Sequence, residues 1–312
     1  MKTRPYTGHL AMFFANMIWG LMAPISKDTL NYFESNDIPA FTLAAMRVLG
    51  ATAAYWILSA FVRSDRTTWA DRRKFFMAGM FSIVFNQCLF IVGVSFTTPV
   101  DASVITTMLP VVTMLMAALV LREPITGLKV VGVLLGMGGA LLLIMGGGTG
   151  LSFGTGNIIG DLMCLAAQVS FSCYLVFYRD FIVKFSPPTL MKWMFTAASL
   201  VFLPIALPIF ARIDFAAIPP KIYLEICYTV FAATFLTYMM IPIGQKSLRP
   251  TVISMYNYVQ PVMSAAVSLL WGMATFGLYK GIAIGLIFSG VYVVTQSKSR
   301  AQLDTEKQTA DK

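Results

Sequence analysis

Charge is scarce in this chain. Asp, Glu, Lys and Arg make up 12% of its 312 residues, about half the share of a soluble domain. That excludes an ordinary soluble enzyme and a disordered chain, because a soluble fold needs polar residues to cover its surface. Histidine is scarcer still, with His9 alone, so neither H-E-x-x-H nor a Cys/His metal spacing can be written. The four cysteines (Cys88, Cys164, Cys173 and Cys227) all lie in apolar stretches. They read as membrane-buried thiols rather than a disulfide scaffold. No phosphate-binding loop occurs, since Gly146–Gly148 and the Thr-Gly after it lack the lysine. No carboxylate pair lies deep in an apolar run. No cofactor and no metal are expected.

What the chain has is apolar length: 57% of residues are apolar and mean hydropathy is +0.74. A helix needs about 20 mostly apolar residues to cross a bilayer. Ten stretches qualify: 8–25, 38–62, 75–95, 101–121, 128–145, 158–178, 189–210, 222–245, 251–271 and 278–295. The first is too long for a cleaved signal and has no A-x-A-like site. The expected fold is an all-α integral membrane protein of ten helices. Lys and Arg concentrate on the cytoplasmic side of a membrane. Placing the N-terminus, every second loop and the C-terminus on one side gives that side eighteen of the 23. Lys27, Arg212, Lys221 and Lys280 fall opposite, and Arg47 lies within a span. Both termini are therefore expected in the cytoplasm. The net charge of +9 is then a matter of topology, and no nucleic-acid partner is expected. The expected partners are the bilayer and a small-molecule substrate, with the chain a monomer or homodimer.

The halves resemble each other at a nearly constant shift. At 151 residues, Gly93, Pro99, Ser103 and Pro110 fall on Gly244, Pro250, Ser254 and Pro261. At 152, Gly8, Leu10 and Ala15 fall on Gly160, Leu162 and Ala167. At 149, Gly132 and Gly136 fall on Gly281 and Gly285. The shift changes only across loops. Residues 1–150 form one five-helix repeat, 151–297 a second, and 298–312 a polar tail. Five is odd, so the second repeat enters the membrane from the opposite side. Inverted repeats of this kind suit alternating access.

Several residues stand out within the spans, each with a functional and a packing explanation. Pro110 and Pro261 sit mid-helix and free the carbonyls of Thr106 and Asn257, which must face protein or a wet cavity. Tyr256, Asn257, Tyr258 and Gln260 form the most polar and aromatic deep stretch. They either line a ligand site or hydrogen-bond between helices. Asn16, Trp19, Asn86, Gln87 and Gln168 add amides and an indole at similar depth. Together they point to a polar centre, with Trp19, Gln87, Tyr256 and Tyr258 as leading walls. Arg47 either captures a substrate carboxylate or anchors structure, snorkelling or pairing with an acid such as Asp101. Gly132/Gly136 and Gly281/Gly285 have small-xxx-small spacing. They read as contacts between the fifth and tenth helices, or as a dimer face. The acids nearest the membrane (Asp101, Glu123, Asp161 and Glu225) fall near helix ends, where they are expected to be solvated and unfit to carry protons.

The order Asn16-Met-Ile-Trp19-Gly20, Arg47, Gly93-Val-Ser-Phe-Thr-Thr-Pro99-Val-Asp-Ala-Ser103, Leu109-Pro110, Leu121-Arg122-Glu123-Pro124 and Gly132-Val-Leu-Leu-Gly136 carries a resemblance. The second half repeats it as Leu248-Arg249-Pro250-Thr-Val-Ile-Ser254, Gln260-Pro261 and Leu270-Trp271-Gly272. Over about residues 8–297 the chain resembles the drug/metabolite transporter superfamily in its ten-helix, two-EamA-domain form. The family usually has an acid after the ninth helix, matching Glu123; here Met273-Ala274 stand instead. The resemblance also favours a structural Arg47, since an arginine there is frequent among members of different substrate class. It implies a transporter rather than an enzyme. The function expected is export of small organic metabolites, amino acids foremost, across the inner membrane without ion coupling. The alternatives are a multidrug exporter of the same fold, which predicts a buried cation-binding acid, and an intramembrane enzyme, which needs a nucleophile, metal or acid/base set at depth. A structural or receptor protein would leave the repeat without purpose.

Overall fold

The computed structural model describes residues 5–97, 99–145, 157–270 and 278–298. Trp271, Gly272, Met273, Ala274, the Gly146–Gly148 run and most of the tail lie outside these residues. The described chain is helical with no strand among the described residues. Lipid leaves no water to satisfy backbone groups, so helices are the solution for a chain this apolar.

The long rods are α1 (Pro5–Ile25), α2 (Phe41–Phe61), α3 (Trp69–Phe96), α4 (Pro99–Thr106 with Leu109–Val120) and α5 (Gly127–Met145). They continue as α6 (Ile158–Phe177), α7 (Pro187–Phe210), α8 (Pro220–Gln245), α9 (250–270) and α10 (Leu278–Gln296). Eight of these, α2 to α8 and α10, are long and apolar enough to cross a membrane. The rods α1 and α9 carry Asn16, Asn257 and Gln260 at mid-length. Between α1 and α2 lies a short helix, Lys27–Ser35. It buries Phe33 and Thr29.

Four local departures from the α-helix interrupt the rods. In α4 the Pro110 ring removes the bond to Thr106. The helix stops there, and the amides of Thr107 and Met108 reach back three residues, to Val104 O and Ile105 O, at 3.0 Å each. In α9 the run Tyr256–Tyr258 tightens to a 3₁₀ turn ahead of Pro261. The rods α3 and α8 each contain a π-helical segment, Met80–Phe85 and Tyr228–Leu236. Such segments are rare and concentrate at functional places.

The packing pattern is regular. Adding or subtracting five turns α3·α6 into α8·α1, α4·α6 into α9·α1, and α2·α8 into α7·α3. The pairs α2·α7, α4·α9 and α5·α10 map onto themselves. In α5·α10 the backbones nearly touch: a Cβ on Gly290 would lie 2.6 Å from Gly132 O and 2.5 Å from Gly136 N. The expected partner glycines were Gly281 and Gly285. A Cβ on Gly285 would meet nothing within 4 Å, and Gly290 makes the close approach to α5. The fifth and tenth helices do pack closely, with Gly290 at the contact.

Loops are stitched by side chains. Asp65, between α2 and α3, accepts from Ser186 N at 2.6 Å and Ser186 Oγ at 2.7 Å, and its own amide donates to Thr189 Oγ1 at 2.9 Å. It thereby caps the start of α7 from another segment. Partial burial pushes the Asp65 carboxyl up. The Ser186 and Thr189 hydrogen bonds, helped by Lys246, outweigh that and hold it below the usual carboxylate range.

Candidate functional site

Three clusters of polar side chains lie inside the bundle. The first runs through α1, α9 and α4. Asn16 Nδ2 donates to Met12 O at 2.8 Å, one turn back, which fixes its rotamer and turns Oδ1 outward. Gln260 Nε2 donates to that oxygen at 2.9 Å and to Asn257 Oδ1 at 2.6 Å. Asn257 Nδ2 donates to Thr106 O at 3.2 Å. The chain thus ends on the carbonyl that Pro110 frees. Beside it, Tyr258 OH donates to Thr107 O at 3.0 Å. Asn257, Gln260 and Thr106 keep part of their surface open, whereas Asn16 is buried.

The second cluster gathers on the π segment of α8. Trp19 Nε1 donates to Ala233 O at 2.8 Å, and its ring meets the Tyr238 ring edge-on at 5.8 Å. Arg47 Nε donates to Thr234 Oγ1 at 2.9 Å, and that hydroxyl donates to Thr229 O at 2.7 Å. Gln87, from α3, approaches the Tyr238 hydroxyl. Tyr228 OH donates to Ile18 O at 2.8 Å. Polar groups in lipid must find partners inside the protein, and the π segment's carbonyls and hydroxyls supply them.

The third lies between α3 and α6. Asn86 Nδ2 donates to Ala167 O at 2.9 Å, and Gln168 is buried beside it. Among the described residues no hydrogen bond joins these two amides to the Asn16–Gln260–Asn257 chain.

Two of the expected wall residues are enclosed. Tyr258 is 1% exposed, and its ring fills the space a Gly136 side chain would need. Tyr256 is buried with its hydroxyl 2.7 Å from His9 Nδ1. Trp19 and Gln87 remain partly open. Pattern reading did not pick out Tyr238 and Thr234. Both lie in an apolar run, and the adjacent Thr237-Tyr238 pair was the available signal.

Three of the four helix-end acids are buried, and Asp161 is partly so. Asp101, Glu123 and Glu225 are 4%, 9% and 8% exposed. Glu225 accepts from Thr29 N at 2.9 Å and Thr29 Oγ1 at 2.6 Å. Glu123 pairs with Lys129 at 2.8 Å, with Arg179 at 4.0 Å and Arg249 within electrostatic reach. Asp161 accepts from Thr97 Oγ1 at 2.5 Å. Position near a helix end does not mean water when neighbouring loops fold over it. Among the described residues no three His, Cys, Asp or Glu side chains converge as a metal site would need.

Comparison with known proteins agrees with this architecture. The sequence profile described as the EamA-like transporter family matches residues 6–145 and again 158–296. The chain is 22% identical to the uncharacterized transporter YyaM of Bacillus subtilis, over 92% of each chain. It is 23% identical to an uncharacterized transporter of Archaeoglobus fulgidus, over 90% of this chain and 95% of that one. It is also 22% identical to a WAT1-related protein of Arabidopsis thaliana, over 96% of this chain and 86% of that one. A solved crystal structure superposes with a TM-score of 0.77 at 19% identity, covering 94% of this chain and 97% of the other. At that identity the likeness speaks for the fold alone.

Proposed function

Because the chain belongs to the EamA-like transporter family, and is thus a multi-pass membrane transporter, we propose that it carries small organic metabolites by alternating access. The carrier consists of ten spans in two inverted halves, residues 1–150 and 151–297. The observation that carries this reading is the contact of Asn257 with Thr106 and of Tyr258 with Thr107, each spanning 151 residues. That separation is the shift at which Pro110 falls on Pro261. Residues related by a repeat meet one another only near the axis that relates the halves. Paired helix breaks on such an axis give both halves a place to bend.

The substrate site lies along Asn16, Asn257, Gln260 and Thr106, with Trp19, Gln87 and Tyr238 as its aromatic and amide wall. Amides offer both donors and acceptors and suit zwitterions, amino acids foremost. Direction is outward across the inner membrane, with both termini cytoplasmic. Loop contacts support that sidedness. Asp65 meets Ser186, Glu123 meets Arg179, and Arg249 meets Ser297, all loops of the lysine- and arginine-rich side. Thr29 meets Glu225, Lys221 meets Asp28, and Thr97 meets Asp161, all of the other. Movement is uncoupled: Glu123 is held by Lys129, Asp161 by Thr97 and Glu225 by Thr29, all near helix ends rather than beside the central amides. The test is a survey of labelled amino acids and related metabolites with the purified protein in liposomes. Saturable uptake of a subset supports the carrier, and uptake of none above protein-free liposomes contradicts it.

A further inference from the structure

Arg47 brings a cation into the bundle without an anion to meet it. It stands in α2, yet its head group reaches Thr234, about 21 Å along the roughly 39 Å rod α8. Only 9% of its surface is open. The bond from Nε to Thr234 Oγ1 is its one hydrogen bond to protein among the described residues, and among them no carboxylate lies within 4.0 Å of it. Both terminal nitrogens lack a hydrogen-bond partner among the described residues and keep some open surface. Burying an uncompensated cation is costly. A fold that stations one there is complete only when an anion arrives.

The geometry specifies which anion. With Nε committed to Thr234, the free edge of the guanidinium is the Nη1/Nη2 pair. That edge matches the two oxygens of a carboxylate, the strongest bidentate arrangement available to arginine. Near it stand the Tyr238 hydroxyl, the Trp19 ring that packs on the Tyr238 ring, and Gln87 beside that hydroxyl. The organic part of a carboxylate therefore has apolar and aromatic surface to lie on. The position 151 residues on is Ala198, which is neutral, so the charge stands in one half only and serves one anion at a time. Thr234 lies in the π segment, so the bound charge bears on backbone whose register is already irregular.

We infer that Arg47 is the anchor for the substrate's carboxylate, so that the carrier selects organic acids and amino acids and rejects amines and neutral amides of the same shape. This rests on the carrier reading and names its substrate class.

The experiment is ligand-induced thermal stabilisation of the purified full-length protein. The probes are L-phenylalanine, phenylacetate and hexanoate, each beside its own amide. At least one acid raises the melting temperature and its amide does not. In Arg47→Gln the acid binds about 30-fold more weakly or worse, as when one partner of a buried charge pair is removed. Acids and amides acting alike, no acid acting at all, or undiminished binding by Arg47→Gln would each overturn the inference. If Arg47→Gln does not fold, Arg47→Lys decides. It keeps the charge without the fork, so a several-fold loss is expected and unchanged affinity overturns the proposal. Metabolite flux that ignores Arg47→Gln would leave the carrier standing and remove the anchor. Binding that depends on Arg47 but produces no flux would do the reverse.

Discussion

The side-chain amide of Asn257 donates to the carbonyl of Thr106 across 3.2 Å and 151 residues of chain. One partner is the carbonyl that Pro110 releases; the other is the residue four before Pro261. The defect in one half is thus closed by a side chain from the corresponding place in the other. Asn257→Ala should leave Thr106 O without its partner at modest cost, about 0.6–2 kcal/mol for an interhelical bond in a membrane protein. The expected result is a melting temperature a few degrees lower with transport reduced severalfold. Unchanged transport in a folded variant would detach this bond from function.

Tyr258 separates packing from binding. Its ring lies against Gly136 and its hydroxyl on Thr107 O, with 1% exposure. Tyr258→Ala should behave as a core truncation and cost about 3–5 kcal/mol. Tyr258→Phe loses only the hydrogen bond, about 1 kcal/mol. Detergent melting curves distinguish the two. A Tyr258→Ala protein as stable as wild type would place the ring at an open wall after all.

Gly290 and Gly285 form a matched pair of probes on α10. A methyl on Gly290 collides with backbone of α5, whereas one on Gly285 meets nothing. Gly290→Ala should destabilise by about 1–3 kcal/mol through overpacking, and Gly285→Ala should be neutral. Equal effects would argue against the α5·α10 seam as described.

Much of this could be read in the chain itself, and the limits have physical causes. The apolar stretches and both proline breaks were legible, because hydropathy and a missing amide are local properties. Asn16, Asn257 and Gln260 were legible as a polar centre, because an amide at that depth must find a partner. Their mutual bonding was not, since spacing gives the face of a helix and not its neighbour. The same gap hid the burial of Tyr258, the choice of Gly290 over Gly285, and the covering of Glu225 by Thr29. The two π segments leave no composition signal, and the short helix Lys27–Ser35 is too polar and brief to stand apart from a loop.

Asp65 makes stability depend on pH. Its carboxyl is held below the usual range in the folded protein by Ser186 and Thr189 against the effect of burial. A depressed folded value means that the stabilisation is fully present above the unfolded value, about 4. It is lost as pH falls through the lower folded value. Asp65→Asn should therefore melt below wild type at pH 7, and the gap should close as pH drops below about 4. A gap that persists at low pH would mean that the charge of Asp65 is not what caps α7.

Solute counterflow tests alternating access most directly. Liposomes holding the purified protein are loaded with unlabelled amino acid and diluted into a trace of labelled amino acid, with no ion gradient. A carrier exposing one site to either side in turn predicts that label accumulates transiently above equilibrium, and that the overshoot shrinks in Asn257→Ala. Label that rises only to equilibrium, as through a pore, or that accumulates only under an imposed proton or Na⁺ gradient, would contradict the account.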